Sequence, residues 1–161
     1  MTLELNNNIL TVGIGDFKIG KGDTKIRTCL GSCIALCLYN KDKKIGGLLH
    51  IMLPEAPIDK EVKVAKYADT GTIQFLGAFK KEYNLEEADL EAKIFGGAKM
   101  IPSALQDIGL DNAKKIREIM KEKNIKILKE KIGGEKGYRI ELDVATGLVK
   151  CQIYGGTEEI F

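Results

Sequence analysis

The sequence is poor in several residue types and patterns. It has no tryptophan, three prolines and a single histidine among its 161 residues. No run approaches the roughly 20 apolar residues of a membrane-spanning helix, since the longest, residues 33–39, has only the length of a strand. Residues 1–8 lack the basic start and apolar run of a secretory signal. We therefore expect a cytoplasmic protein whose four cysteines are free thiols.

The charge of the chain is nearly balanced. It has 25 lysines and arginines against 23 aspartates and glutamates, which gives a net charge of +2. Such a small excess does not predict binding to nucleic acid or to an anionic membrane. The length and the apolar fraction of 44% are typical of one globular domain. Because no linker or repeat interrupts the chain, we expect a single domain over residues 1–161.

The spacing of apolar residues predicts an α+β fold. Residues 33–39 are apolar on both faces and predict a buried strand, and residues 44–53 return as a second strand after a polar turn. Helical spacing predicts one helix over residues 64–83 and another with Asp111 as its N-cap. Residues 9–19 predict a strand that ends in a turn, with Val-Gly-Ile-Gly at 12–15. Further strands are predicted at residues 24–29, 90–95, 125–131, 138–144 and 148–154. The expected architecture is strand-rich, a layered β core flanked by about two main helices.

One cysteine and the only histidine lie on the predicted hairpin. Cys33 follows Leu-Gly-Ser at 30–32, and His50 comes seventeen residues later, so the strand–turn–strand pattern brings both near one end of the hairpin. A thiolate is a strong nucleophile, and imidazole moves protons near neutral pH. Gly31 would allow a close backbone approach, and the amides of Ser32 and Cys33 could hold an oxyanion. This combination is typical of a cysteine hydrolase.

Two other interpretations fit the same residues. Free cysteines are often small buried hydrophobes, as we expect for Cys37 and Cys151, and a lone histidine beside apolar neighbours is often a satisfied core side chain. A zinc site is a further alternative, because Cys29, Cys33 and Cys37 recur every fourth residue ahead of His50. Strand geometry argues against zinc, since residues four apart in a strand are separated by roughly 13 Å.

Several longer motifs occur in a fixed order along the chain. They are Leu-Gly-Ser-Cys at 30–33, Leu-His-Ile-Met-Leu-Pro at 49–54, Lys-Tyr-Ala-Asp-Thr at 66–70 and Ala-Lys-Ile-Phe-Gly-Gly-Ala-Lys-Met at 92–100. The pattern continues through Ile108-Gly109, Asn112, Gly133-Gly134, Arg139 and Thr146-Gly147. Together these motifs resemble the CheD family, the chemoreceptor glutamine deamidases of bacterial and archaeal chemotaxis. The resemblance covers nearly the whole chain.

The resemblance implies a cysteine hydrolase that acts on side-chain carboxamides of chemotaxis receptors. Cys33 would be the nucleophile, His50 the general base and acid, and Thr28 the third member of the triad. An ungapped comparison with some relatives would put Arg27 in the threonine's place, but a guanidinium cannot accept a hydrogen bond from imidazole. The resemblance implies no metal and no organic cofactor.

The resemblance also implies further contacts and partners. A CheC-type phosphatase would be a protein partner, whereas nucleic acid binding and direct membrane insertion are not expected. An alternative within the same family is a non-enzymatic adaptor that chiefly regulates this phosphatase. The residues implied for oxyanion or substrate contacts are Gly31, Ser32, Tyr67, Asp69, Gly96 and Gly97.

Overall fold

The structure is a computed structural model that describes residues 8–58 and 63–161. The expectation about a secretory signal concerns residues that, apart from Asn8, lie outside the described residues. Among the residues described, no helix is both long enough and apolar enough to cross a membrane.

The described chain contains ten strands and two α-helices. The helices are α1 (Ala68–Tyr83) and α2 (Ile108–Glu122), and short 3-10 turns lie at Val64–Lys66 and Glu87–Asp89. The strands are β1 (Asn8–Thr11), β2 (Phe17–Lys21), β3 (Thr24–Leu30), β4 (Ile34–Asn40), β5 (Ile45–Ile51), β6 (Glu91–Gly96), β7 (Ile127–Ile132), β8 (Tyr138–Asp143), β9 (Val149–Ile153) and β10 (Glu158–Ile160).

These strands form two five-stranded sheets. The first sheet has the order β1-β3-β8-β9-β10 and the second has the order β2-β5-β4-β6-β7. Pairing is antiparallel except between β1 and β3 and between β6 and β7. Helix α1 packs against β5, and α2 packs against β4 and β7. The second sheet therefore lies between the helices and the first sheet.

Two apolar cores fill the spaces between these layers. The helix-side core joins Leu36 and Leu49 of the second sheet to Phe75 and Ile116 of the helices. The inter-sheet core joins alternate residues of the same strands, such as Ala35, to the first sheet. Every residue of β4 and β5 is buried because both faces of these strands are covered. The expected α+β fold, with a layered β core and two main helices, is confirmed.

Residues 9–19, predicted as a strand that ends in a turn, are divided by that turn between two strands. Strand β1 belongs to the first sheet and β2 to the second, and residues 12–16 cross from one sheet to the other. Gly15 has a φ of +69°, and the amide of Asp16 donates to the carbonyl of Gly13 at 3.2 Å, so the chain turns sharply here. This crossing places a short segment beside His50, whose amide donates to Asp16 O at 3.0 Å.

Both predicted helix starts are wrong. Helix α2 is capped by Asp107, whose side chain accepts a hydrogen bond from the amide of Leu110 at 3.1 Å, and Asp111 lies within the first turn. Helix α1 begins at Ala68 rather than at residue 64, because Tyr67 is extended with a φ of −111°. Apolar spacing finds helices, but the local backbone conformation decides where they begin.

Candidate active site

Cys33 and His50 lie on the same face of the second sheet. His50 is directly opposite Ala35 in the β4–β5 ladder, and Ile34 is opposite Ile51. Cys33 immediately precedes β4, so it is the diagonal neighbour of His50 on the face that looks toward the first sheet. Ala35 presents only a methyl group across from the imidazole. The hairpin thus makes the two residues diagonal neighbours at one end, and no hydrogen bond joins the Cys33 thiol to His50 Nε2 in the described structure.

A second thiol also lies diagonally from His50. Cys37 is two residues beyond Ala35 on the same strand face, but it is inside β4, and burial raises its pKa to about 12. Cys33 lies just outside the ladder and is 8% exposed, although burial raises the pKa of its thiol as well. Of the two thiols, Cys33 is the one that a substrate could reach at the end of the hairpin.

Thr28 holds the other side of the imidazole. Its hydroxyl oxygen lies 2.8 Å from His50 Nδ1 and 2.7 Å from the carbonyl oxygen of Val12. A carbonyl only accepts, so the hydroxyl donates its proton to Val12 and accepts from Nδ1–H. Arg27, by contrast, is exposed and pairs with Glu141. The contact therefore selects the His50 tautomer whose Nε2 carries a free lone pair.

The free nitrogen of His50 has no partner in the described structure. His50 is 3% exposed, and its Nε2 is buried without a hydrogen bond. Burial lowers the pKa of the imidazole below its ordinary value of 6.5, while the Val12 backbone acts in the opposite direction. The lowered pKa keeps His50 neutral near pH 7. A buried base with an unused lone pair is not the satisfied core histidine of the alternative interpretation.

The lowered pKa of His50 predicts an acid-sensitive fold. Because the unfolded chain protonates His50 near pH 6.5 and the folded chain protonates it only at lower pH, the free energy of unfolding should fall as pH drops through 6.5 toward the folded pKa. Urea unfolding between about pH 5 and 8, where ordinary carboxylates contribute little, measures this slope. The His50→Asn variant should lack it, and an equal slope in both proteins would contradict the assignment.

The turn before β4 leaves two amides without a hydrogen-bond partner among the described residues. The carbonyls of Gly31, Ser32 and Cys33 accept from Ala98 N at 3.0 Å, Asn112 Nδ2 at 3.2 Å and Gly97 N at 2.9 Å. The amides of Ser32 and Cys33 donate to none of the described residues. Each of the three carbonyls therefore has a partner, whereas the two adjacent N–H groups beside the Cys33 thiol have none among the described residues.

Gly96 and Gly97 lie beneath this turn and are buried. A Cβ at Gly96, whose φ is +107°, would lie 2.4 Å from the carbonyl oxygen of Cys33. A Cβ at Gly97 would lie 2.9 Å from the carbonyl oxygen of Gly109. The absence of side chains at these two glycines allows the end of β6 to pack against the Cys33 turn and against the start of α2.

Tyr67 and Asp69 lie where the chain returns from β5 to α1. Tyr67 is 7% exposed and forms an isolated bridge with Leu53. The Asp69 carboxylate accepts from the amides of Ala56 at 3.1 Å and Thr70 at 2.8 Å. Neither side chain forms a hydrogen bond to Cys33 or His50 in the part of the chain that is described. Their contacts hold the connection that follows β5.

The four thiols do not assemble a metal site in the described residues. Cys29 is exposed on the outer face of β3, in a different sheet from Cys33 and Cys37. Cys151 is buried in β9, as predicted. Within residues 8–58 and 63–161, no cluster of three His, Cys, Asp or Glu side chains could hold a metal ion. The zinc interpretation therefore has no set of converging ligands there.

An open groove of about 730 Å³ runs across the first sheet and reaches His50. Residues 11–14 and Thr28 form its wall next to the imidazole, at the point where the chain leaves β1 for the second sheet. The rest of its wall is polar and carries both signs of charge, from Lys25, Arg139 and Glu158 among others. Cys33 does not line this groove, so the groove reaches the imidazole but not the thiol.

Two residues of this arrangement are not identified as functional from the sequence. Val12 acts through its backbone carbonyl, which leaves no trace in residue type. Asn112 belongs to a quoted motif, but its amide contacts depend on how α2 packs against β4. The available signal for the second was its spacing, since Asn112 lies four and seven residues before Ile116 and Ile119 on the apolar stripe of the helix.

Comparisons with known proteins find a family profile and curated relatives that match this chain. The profile of the family described as CheD chemotactic sensory transduction matches residues 52–153. A protein of Desulforamulus reducens named "Probable chemoreceptor glutamine deamidase CheD" is 37% identical, over 96% of each chain. A Clostridium botulinum (strain Hall) protein of the same name is 42% identical, over 94% of this chain and 97% of its own.

Among solved structures, the likeness is more distant. The crystal structure of Bacillus licheniformis hypothetical protein YfiH matches with a TM-score of 0.49 and 11% identity, over 71% of this chain and 49% of that one. The family profile and the two relatives, by contrast, cover most of the chain at substantial identity, so the chain belongs to the CheD chemotactic sensory transduction family.

Proposed function

We propose that this protein deamidates glutamine side chains of chemotaxis receptors to glutamate, as a cysteine-dependent protein-glutamine glutaminase. The names of its curated relatives support the reaction and the substrate class. The observation that carries the mechanism is the 2.8 Å contact of Thr28 with His50 Nδ1, which leaves Nε2 free on the face that holds Cys33.

The first half of the proposed reaction forms a thioester and releases ammonia. His50 Nε2 takes the Sγ proton of Cys33, and the thiolate attacks the Cδ carbonyl carbon of the receptor glutamine. The amides of Ser32 and Cys33 hold the oxyanion that forms. The imidazolium then gives its proton to the leaving nitrogen, the C–N bond breaks, and ammonia departs.

The second half hydrolyses the thioester. His50 takes a proton from water, and the resulting hydroxide attacks the thioester carbonyl carbon. Collapse of the tetrahedral intermediate breaks the C–S bond, and the imidazolium returns its proton to the leaving sulfur. The receptor now carries glutamate and the Cys33 thiol is restored. Every proton in both halves passes through one imidazole, which the chain supplies only once.

Removing the hydroxyl of Thr28, the third residue of the proposed triad, is expected to lower the rate of ammonia release. Thr28→Val keeps the size of the side chain but removes the acceptor that orients Nδ1–H. We expect kcat/KM for ammonia release to fall about 10- to 100-fold, a part of the 10²- to 10⁴-fold effect of a positioned general base. Thr28→Ser keeps the hydroxyl and should retain most activity. Equal rates for Thr28→Val and the wild type would remove Thr28 from the triad.

The protein is proposed to work in the cytoplasm with a CheC-type phosphatase as its partner. Cys29, Cys33, Cys37 and Cys151 are all free thiols, which suits a reducing compartment. The partner follows from the family resemblance, and a chain that binds this phosphatase without catalysis would be an adaptor. The two roles differ in one observable, the chemical change of the receptor.

The experiment is incubation of the full-length protein with the cytoplasmic helices of a cognate receptor. Mass spectrometry of receptor peptides should find glutamate at former glutamine positions, with release of one ammonia for each conversion. Receptor or phosphatase binding without any change in receptor mass would overturn the enzymatic proposal and favour the adaptor. Peptides of receptor incubated alone control for spontaneous deamidation.

A further inference from the structure

We infer that Asn112 is a positioning residue that orients the Cys33 amide as an oxyanion donor. This inference rests on the proposed function, since it assigns a task within that reaction. Asn112 lies in the second turn of α2 and is completely buried. It does not contact the reacting atoms. It acts through the backbone carbonyls of Ser32 and Met52, which lie close in sequence to Cys33 and His50.

The side-chain amide of Asn112 bridges the two segments that carry Cys33 and His50. Its Nδ2 donates to the carbonyl oxygen of Ser32 at 3.2 Å and to that of Met52 at 3.0 Å. The β4–β5 register ends at the Ile34–Ile51 pair, so both bonds lie just beyond the end of the ladder. Asn112 therefore ties the hairpin together where strand pairing stops.

Because of the geometry of the peptide group, the bond from Asn112 to the Ser32 carbonyl also fixes the direction of the Cys33 N–H. The Ser32 carbonyl and the Cys33 N–H belong to one trans peptide plane, because the described chain has no cis peptide. In a trans peptide the C=O and N–H bonds point in opposite directions. Holding the Ser32 oxygen toward α2 thus aims the Cys33 N–H away from α2, where it donates to none of the described residues.

The orientation of the Asn112 amide is chemically determined. If its oxygen and nitrogen were exchanged, Oδ1 would face two carbonyl oxygens, and neither carbonyl can donate. In the orientation observed, Oδ1 is buried without a partner among the described residues. An unpartnered buried oxygen reduces stability, so an apolar residue would suit the packing better. The two donated bonds are the contribution that an apolar residue could not make.

Close approach of two glycines makes the reach of Asn112 possible. A Cβ at Gly109, in the first turn of α2, would lie 2.1 Å from the carbonyl oxygen of Gly97. Only the absence of that atom allows the start of α2 to approach the β6 end next to the Cys33 turn. The short asparagine side chain then spans the remaining distance to both carbonyls.

Two variants of the full chain test this inference. Asn112→Leu removes the donor and the unpartnered oxygen while keeping the number and branching of heavy atoms, and Asn112→Asp removes the amide donor without a change in shape. With receptor helices as substrate, each should lower kcat at least about tenfold, since a lost oxyanion donor lowers kcat about 10²- to 10³-fold. The KM should stay the same. Thr72→Val, which removes another fully buried, unpartnered polar atom from α1, is the matched control and should keep wild-type kcat.

Alkylation of Cys33 by iodoacetamide separates this role from a general loss of shape. Alkylation needs the thiolate but forms no oxyanion, so its rate and pH dependence should match the wild type in both variants. A parallel fall in alkylation and kcat, or an unchanged kcat, would overturn the inference. If the wild type is inactive toward receptor, the proposed function itself fails. If the wild type and both variants are equally active, only the role of Asn112 fails.

The wild type offers a second test should both variants fail to fold. A receptor peptide with an aldehyde in place of the glutamine carboxamide would add to Cys33 and form a hemithioacetal, which places an oxygen where the oxyanion develops. In amide NMR spectra the Cys33 proton resonance should move downfield on addition, as expected for a new hydrogen bond. Adduct formation without this shift would overturn the inference.

Discussion

Replacing Cys33 with alanine is expected to lower the rate of ammonia release from receptor glutamines by about 10⁴-fold or more while the fold persists. Removing the proposed nucleophile would abolish the thioester route, and losses of this size follow when one member of a catalytic triad is deleted. The side chain is small and lies at the end of the β4–β5 ladder, so alanine leaves little empty space. Ammonia release with purified receptor helices measures the effect, and circular dichroism verifies the fold.

Cys37→Ala is the matched control for this prediction. Cys37 is also a diagonal neighbour of His50 and is also buried, but burial raises its pKa to about 12 and it lies inside β4. Its loss should reduce stability modestly and leave the rate of ammonia release near that of the wild type. Substantial activity in Cys33→Ala, or inactivity in a well-folded Cys37→Ala, would mean that the wrong thiol has been assigned.

Replacing His50 with asparagine is expected to lower kcat/KM for ammonia release by about 10²- to 10⁴-fold, the usual contribution of general acid–base catalysis. The buried Cys33 thiol has a raised pKa, so the variant lacks the proposed base that would take its proton at neutral pH. The acid limb of the wild-type pH–rate profile should lie below pH 6.5, because burial lowers the pKa of His50, and it should vanish in the variant.

Iodoacetamide alkylation gives an independent check on His50. In the wild type, Cys33 should react at neutral pH, and in His50→Asn the reaction should require a higher pH because the thiol loses its base. Cys29→Ala removes the exposed thiol that would otherwise contribute background alkylation. An unchanged alkylation profile together with unchanged kcat/KM in His50→Asn would exclude the histidine from catalysis.

Much of this arrangement could be predicted from the sequence, for identifiable reasons. Residues 33–39 are apolar at every position, which is what a strand covered on both faces requires, and a polar turn leads into the strand with His50. These local patterns suffice to place Cys33 and His50 at one end of a hairpin. The resemblance to CheD proteins selected the chemistry, and the matched relatives support that choice.

The rest depends on contacts between segments that are distant in sequence. Val12 meets Thr28 only because the chain leaves β1 and crosses between the sheets, and no local pattern encodes that path. Asn112 reaches Ser32 across eighty positions of sequence because α2 packs against β4. In the sequence alone, Asp111 and Asp107 are equally good N-cap candidates. The close approach of Gly97 to Gly109 helps to determine that the helix begins after Asp107.

The central claim is that receptor glutamines pass through a thioester on Cys33, and hydroxylamine tests it most directly. Hydroxylamine competes with water for an acyl-enzyme, so wild-type protein incubated with receptor helices and hydroxylamine should produce a hydroxamate at the same positions that otherwise become glutamate. Cys33→Ala should produce neither product. Conversion to glutamate alone under excess hydroxylamine, or hydroxamate formation by Cys33→Ala, would contradict the account.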